Sequence, residues 1–170
     1  MPGFEAKTFM PAKLDAVFEF LDTPAKAGGH MEKPSMMMMG GSMTYETDAR
    51  GGREVGSVIT MGGNFLWLRL SVRETVVERE PPRRKVWETQ GAQQLLIMER
   101  YRMGFDIKPD GQGSALSVWI DYDLPPSGFW RLAGYLVAPV YARWCVGRMA
   151  GDASRSHGGT PAVIGPRPQA

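Results

Sequence analysis

One carboxylate stands out among the groups in this sequence that could do chemistry. Between Leu95 and Lys108, alternate residues read Leu95, Ile97, Glu99, Tyr101, Met103 and Phe105 on one face. The other face carries Leu96, Met98, Arg100, Arg102 and Asp106. The first face is the more apolar, so a strand here turns it towards a core and takes Glu99 along. A buried, unpaired carboxylate is costly and holds its proton more tightly than usual. Glu99 would then need a partner, such as Tyr101, Tyr122, an arginine or a ligand hydroxyl. So placed, it could orient a ligand, or act with Tyr101 and Tyr122 as an acid–base set. The plain alternatives are a strand-edge residue that reaches solvent and a structural ion pair.

The other reactive residue types do not gather into a site. Cys145 is the only cysteine, so no disulfide forms within the chain, and it lies in an apolar run without a nearby histidine. That pattern reads as a buried structural thiol rather than a nucleophile. His30 and His157 are far apart, which leaves neither a Ser-His-Asp nor a Cys-His arrangement to build. Met36 to Met39 are consecutive, with Met31, Met43 and His30 close by. Thioethers and one imidazole could hold a soft cation, but consecutive positions point their sulfurs in different directions. The run is read instead as adaptable apolar lining, a lid, or core packing. Gly62-Gly63 and Gly111-Gln112-Gly113 lack the lysine and helix of a phosphate loop. No catalytic set, metal set or cofactor is assigned on these grounds.

The elements that must position these residues follow from periodicity. Phe4 to Met10 alternates as a strand and ends at Pro11. Leu14, Val17, Phe18 and Leu21 then share a helical face, and Thr23-Pro24 opens a second short helix that Gly28-Gly29 ends. Strands are predicted at 42–48, 54–61, 65–80, 83–90, 95–108 and 114–124, with turns at Gly51-Gly52, Gly62-Gly63-Asn64, Pro81-Pro82, Gly91 and Asp110-Gly111-Gln112-Gly113. Ser127 can cap a long helix over about 128–150, with Pro139 inside it. Its stripe of Phe129, Leu132, Ala133, Leu136, Val140 and Trp144 should face the sheet. The stretch 151–170, rich in Gly, Pro, Ser and Ala, is predicted to be a disordered tail after a single domain over 1–150.

Alternation also sorts the strand faces. Leu116, Val118, Ile120 and Tyr122 should point inward, as should Leu66, Leu68, Leu70 and Val72, leaving Trp67 and Trp119 outside. A curved antiparallel sheet of about six to seven strands around one long C-terminal helix is the α+β arrangement this order allows. The inner faces carry Leu68, Leu70, Ile97, Glu99, Tyr101, Met103, Val118, Ile120, Tyr122, Leu132, Leu136 and Val140, which become the expected ligand contacts through the cavity that the family resemblance given below implies.

Composition narrows the partners. With 170 residues, 43% hydrophobic and 22% charged, the chain has the make-up of an ordinary globular domain, and its net charge of +2 is too small to argue for nucleic acid or an anionic membrane. The N-terminus has no apolar run of signal-peptide type. The longest apolar stretch, Leu132 to Ala142, is broken by Gly134 and Pro139 and is too short to span a bilayer. A cytoplasmic protein without stable membrane insertion is expected, with a homodimer through exposed Trp67 and Trp119 as one further arrangement.

This order of elements resembles the START-like superfamily, also called SRPBCC or polyketide cyclase/dehydrase-like. The resemblance covers roughly residues 4 to 150. It is carried by the Phe4-Glu5 strand with Pro11-Ala12 and Val17-Phe18, the Gly51/Gly56 region, and the Glu80-Pro81-Pro82-Arg83 turn. Asp110-Gly111-Gln112-Gly113-Ser114 and the segment Ala138-Pro139-Val140-Tyr141-Ala142-Arg143-Trp144-Cys145 complete it. The resemblance implies a helix-grip fold with an apolar cavity between sheet and helix. It implies binding of a small apolar molecule, such as a lipid, quinone or polyketide, by a carrier or sensor. A minority of the family are cyclases or parts of oxygenases, so a cyclase/dehydratase-type reaction using Glu99 and the tyrosines is the competing expectation. The superfamily has no common catalytic motif to carry over.

Overall fold

The computed structural model describes residues 1–27, 43–65, 68–91 and 97–168. The chain forms one α+β unit. Strand β1 (Gly3–Met10) leads into helices α1 (Leu14–Asp22) and α2 (Pro24–Ala27). Strands β2 (Met43–Thr47), β3 (Val58–Phe65), β4 (Leu68–Glu80), β5 (Arg84–Thr89), β6 (Arg100–Asp110) and β7 (Gly113–Asp123) follow. A long helix α3 (Gly128–Ser156) and a short strand β8 (Val163–Pro166) complete the chain. The sheet order is β2-β3-β4-β5-β6-β7-β1-β8, and its neighbouring strands pair antiparallel.

The period-two pattern sets which face is covered. Leu116, Val118, Ile120 and Tyr122 of β7 turn to the helix side, opposite Met103 and Phe105 of β6 and Ala6 and Thr8 of β1. The turn Asp110-Gly111-Gln112-Gly113 joins β6 to β7 as its sequence predicts, with Gly111 at φ +55°. A register shift between Val76 and Glu78 marks a bulge in β4, and the Pro81–Pro82 turn, with a cis peptide, leads into β5. On the helix side, Val17, Phe18 and Leu21 of α1 close one end of the core.

The convex side is a lattice of paired charges. Arg84 bonds Glu78 at 2.7 Å and Asp106 at 2.5 Å, and Arg102 also bonds Glu78. Trp119, predicted to stand outside, does lie on this side but is only 2% exposed. Its indole N–H donates to Asp106 at 2.8 Å, and the Arg167 guanidinium stacks 3.6 Å from the ring. Gly104 makes room for it, since a Cβ there would stand 2.7 Å from the Trp119 ring. Trp119 is therefore not an interface anchor, and Trp67 lies outside the described residues.

Several boundaries differ from the sequence reading. Among the described residues the sheet has eight strands, where about six to seven were expected. β3 runs through Gly62 and Gly63 to Phe65 because its partner β4 continues the ladder past them. β6 starts at Arg100, not Leu95. The stretch after 150 is not a tail over its described residues. α3 continues to Ser156, and β8 pairs with β1. Thr160 ties this return, its N–H donating to the Phe9 carbonyl at 2.8 Å and its own carbonyl accepting from the Thr8 and Ser154 hydroxyls, each at 2.6 Å. A composition average over the stretch hides the apolar pair Val163-Ile164, of which Ile164 packs against the core.

The face of α3 is the largest correction. The residues buried against the sheet are the small ones: Gly134, Ala138, Ala142 and Cys145, followed by Val146, Met149, Ala150 and Ala153. Small side chains every fourth residue let the helix backbone lie close to the sheet. At Gly134 a Cβ would stand 2.6 Å from the Ile97 carbonyl oxygen. Leu132, Leu136 and Val140, predicted to face inward, are instead 64%, 66% and 53% exposed. Ser127 occupies the N-cap position, but its side chain makes no capping bond.

Candidate functional site

The helix runs close to β1, β7 and β8, where its C-terminal half packs. On the β3–β4 side, side chains reach across the gap. Tyr141 and Trp144 of α3, with Tyr101 of β6, pack against Ile59, Met61, Val72 and Val76. Amid these apolar residues sits one acid, Glu74, which is 4% exposed.

Strand register explains the placement. Glu74 lies between Val72 and Val76 on the inward face of β4, opposite Ile59 of β3 and Thr89 of β5. Its hydrogen-bond partners are neutral. The Tyr101 hydroxyl donates to Glu74 Oε1, and Trp87 supplies a second hydrogen bond. Thr89 holds Tyr101 in place by accepting from its backbone N–H at 3.2 Å. Burial raises the Glu74 carboxyl to about 7, against the lowering effect of the two hydrogen bonds and the more distant Lys85 charge. At neutral pH its neutral and charged forms are therefore both populated. Burial, and then the Glu74 charge, push the Tyr101 phenol well above its ordinary range, so it is a donor and not a base. Cys145, also buried here, has its thiol pushed up to about 12 by burial, which keeps it in its unreactive form.

A second buried acid lies at the end of α1. Asp22 accepts from Lys85 Nζ at 2.7 Å and from Arg79 at 2.9 Å and 3.3 Å. Lys85 also donates to the Asp22 carbonyl at 3.0 Å, and Arg79 stacks over Phe18 at 5.5 Å. Burial works to raise the Asp22 carboxyl, but the Arg79 and Lys85 bonds and charges outweigh it and hold it below the usual value. This cluster fastens α1 to β4 and β5, and both carboxylate oxygens are taken up in doing so.

The predicted residues divide cleanly. Tyr101, Met103, Val118, Ile120 and Tyr122 lie on the inward face of β6 and β7, and Ile97 packs at the core margin. Glu99 does not join them. It precedes β6, is half-buried, and its backbone N–H donates to the Asp123 carbonyl at 2.9 Å. The alternation that put it inward holds only inside a strand, and the strand begins one residue later. The side chains of Leu68 and Leu70 lie outside the described residues, as does the Met36–Met39 run. Leu132, Leu136 and Val140 are on the exposed side of α3. Glu74 was the residue missed, although its signal was available: the inward series ending at Val72 continues through Glu74 to Val76.

Solved structures share this architecture at low sequence identity. TTHA0849 from Thermus thermophilus matches at TM-score 0.63 and 14% identity, over 91% of this chain and 95% of that one. Norcoclaurine synthase from Thalictrum flavum matches at TM-score 0.62 and 15% identity, over 91% and 84%. Major latex-like protein 151 from Panax ginseng matches at TM-score 0.55 and 12% identity, over 91% and 96%. At such identities the likeness is one of fold. None of the curated proteins compared with the chain matches it in sequence. The sequence profile of the family described as polyketide cyclase / dehydrase and lipid transport matches residues 1–153, and by that match the chain belongs to this family of the START-like (SRPBCC) superfamily.

Proposed function

We propose that this protein binds a small, mainly apolar molecule carrying one hydroxyl or carbonyl group, between the sheet and α3, as a carrier or sensor. The lipid, quinone and aromatic polyketide classes all fit that description. The observation that carries the reading is the Glu74 carboxyl, held by neutral donors beside the apolar side chains of Ile59, Met61, Val72 and Val76. An apolar wall with one or two polar groups is the usual make-up of a small-molecule site. With its proton on, Glu74 donates to a ligand oxygen; with it off, Glu74 accepts from a ligand hydroxyl. Met103, Ile120 and Tyr122 would supply the apolar contact beside Tyr101.

The test is denaturing extraction of the purified protein and mass spectrometry of the co-purified apolar fraction. A stoichiometric oxygenated lipid, quinone or polyketide is the expected result. A protein that is empty and takes up no member of these classes would count against the reading.

Acid–base turnover of such a molecule is the second reading, favoured by one observation: a carboxyl at about 7 is poised to give and take a proton at neutral pH. Glu74→Gln separates the two. A carrier keeps most of its affinity, because the amide still hydrogen-bonds. An enzyme still binds but loses turnover by roughly a hundredfold or more.

A further inference from the structure

The N-terminal half of α3 carries an apolar surface that the other described residues leave uncovered. Phe129, Leu132, Leu136 and Val140 recur at helical spacing on one face, at 74%, 64%, 66% and 53% exposure. Trp130 and Tyr135 flank them, also exposed. Isolated exposed apolar residues need no explanation, but a contiguous face of this kind marks an interaction surface. Its residue types are those that favour the boundary between headgroups and acyl chains.

Charge identifies the occupant. From Leu124 to Gly151 the sequence has three arginines, Arg131, Arg143 and Arg148, and no Asp or Glu. Arg143 extends the exposed apolar face by one turn and stacks on Phe4 at 5.7 Å. Beside it a groove of about 490 Å³ is lined by Arg143, Arg148 and Arg155 together with Gly147 and Gly151. Arg155 is paired with Asp152, while neither Arg143 nor Arg148 meets a carboxylate among the described residues. A second copy docked through the same face would set these arginines against each other with no acid to pair them. Phosphate headgroups, in contrast, complement them directly.

The geometry points to a peripheral docking surface for an anionic phospholipid bilayer, with the apolar face of α3 lying in the interface and Arg143 and Arg148 at the phosphates. Insertion stops at the surface: among the described residues no helix is long and apolar enough to cross a membrane. Docking goes beyond the ligand reading and does not depend on Glu74.

The test is co-sedimentation of the full chain with phosphatidylserine/phosphatidylcholine vesicles and with phosphatidylcholine vesicles alone. The protein is expected to pellet with the anionic vesicles, and about tenfold less well with neutral ones or at high salt. Leu132→Glu with Leu136→Glu should remove the binding, and their exposed positions leave circular dichroism and the thermal midpoint unchanged. Arg143→Ala with Arg148→Ala should remove the preference for anionic lipid. Glu74→Gln should pellet like the parent chain, which separates failure of this surface from failure of the ligand site. A parent chain that stays in the supernatant, or a double-glutamate variant that pellets equally, overturns the proposal. So does a concentration-dependent dimer, seen by light scattering, that the glutamate pair abolishes, for the occupant would then be a second copy.

Discussion

Asp22 and Glu74 are buried alike, each 4% exposed, and they behave oppositely. Asp22 sits between Lys85 and Arg79, and its charge is held. Glu74 has the Tyr101 hydroxyl and the Trp87 indole beside it, and its charge is resisted. Burial acts on both in the same direction, more strongly on Glu74, and the partners of Asp22 reverse its effect there. Two full cations compensate the lost hydration of Asp22, and the result is a fastener. Two neutral donors do not compensate that of Glu74, and the result is a group that titrates near neutral pH.

Breaking the fastener should have the largest effect. Asp22→Ala leaves Lys85, which is 2% exposed, without its counter-charge. It should cost about 3–5 kcal/mol, read as a lower urea midpoint at unchanged slope. If the loss is under about 1 kcal/mol, Asp22 and Glu74 are not distinguished by their partners.

The pH dependence of Glu74 comes next. Its folded-state value lies above its unfolded one, so its contribution is fully present below the unfolded value near 4.5 and is lost as pH rises through about 7. Between about pH 5 and pH 8 the parent chain should lose on the order of 3 kcal/mol to this group, and Glu74→Gln should not. Parallel stability curves for the two proteins would show that the Glu74 carboxyl is solvated after all. Asp22 runs the other way. Its lowered value means a contribution present above the unfolded value of 3.8 and lost only as pH falls below it, so Asp22→Asn should flatten the acid limb alone.

A smaller effect sharpens the comparison at Glu74 itself. Tyr101→Phe removes one of its two donors and should cost about 1–2 kcal/mol at high pH and less at low pH, where the carboxyl is neutral. A loss that is the same at both ends would assign Tyr101 a packing role only. The smallest effect is at Cys145. Its thiol, buried and raised to about 12, should stay unreacted with an aromatic disulfide reagent in the native state and react on unfolding.

Much of this was legible in the chain before any coordinates. Period-two runs marked β1 and β4 to β7, Asp110-Gly111-Gln112-Gly113 marked the hairpin, and the inward set of Met103, Val118, Ile120 and Tyr122 followed from alternation. Local chemistry writes these features, because turn residues and strand faces depend on near neighbours. The candidate site was half legible. Tyr101 was found, but its partner was sought two residues away at Glu99, when register places it across the sheet at Glu74.

The amino-acid sequence by itself determined the order of elements, the hairpin, and the sorting of inner from outer side chains within each well-formed strand. Only the tertiary structure decided which face of α3 is buried, because that depends on how closely the helix approaches the sheet. Close approach selects Gly134, Ala138 and Ala142 over the larger Leu132 and Leu136. It also decided that the segment after 156 returns to pair with β1, and that one acid meets cations while the other meets a phenol. Those outcomes depend on residues brought together from distant parts of the chain, and no local pattern records them.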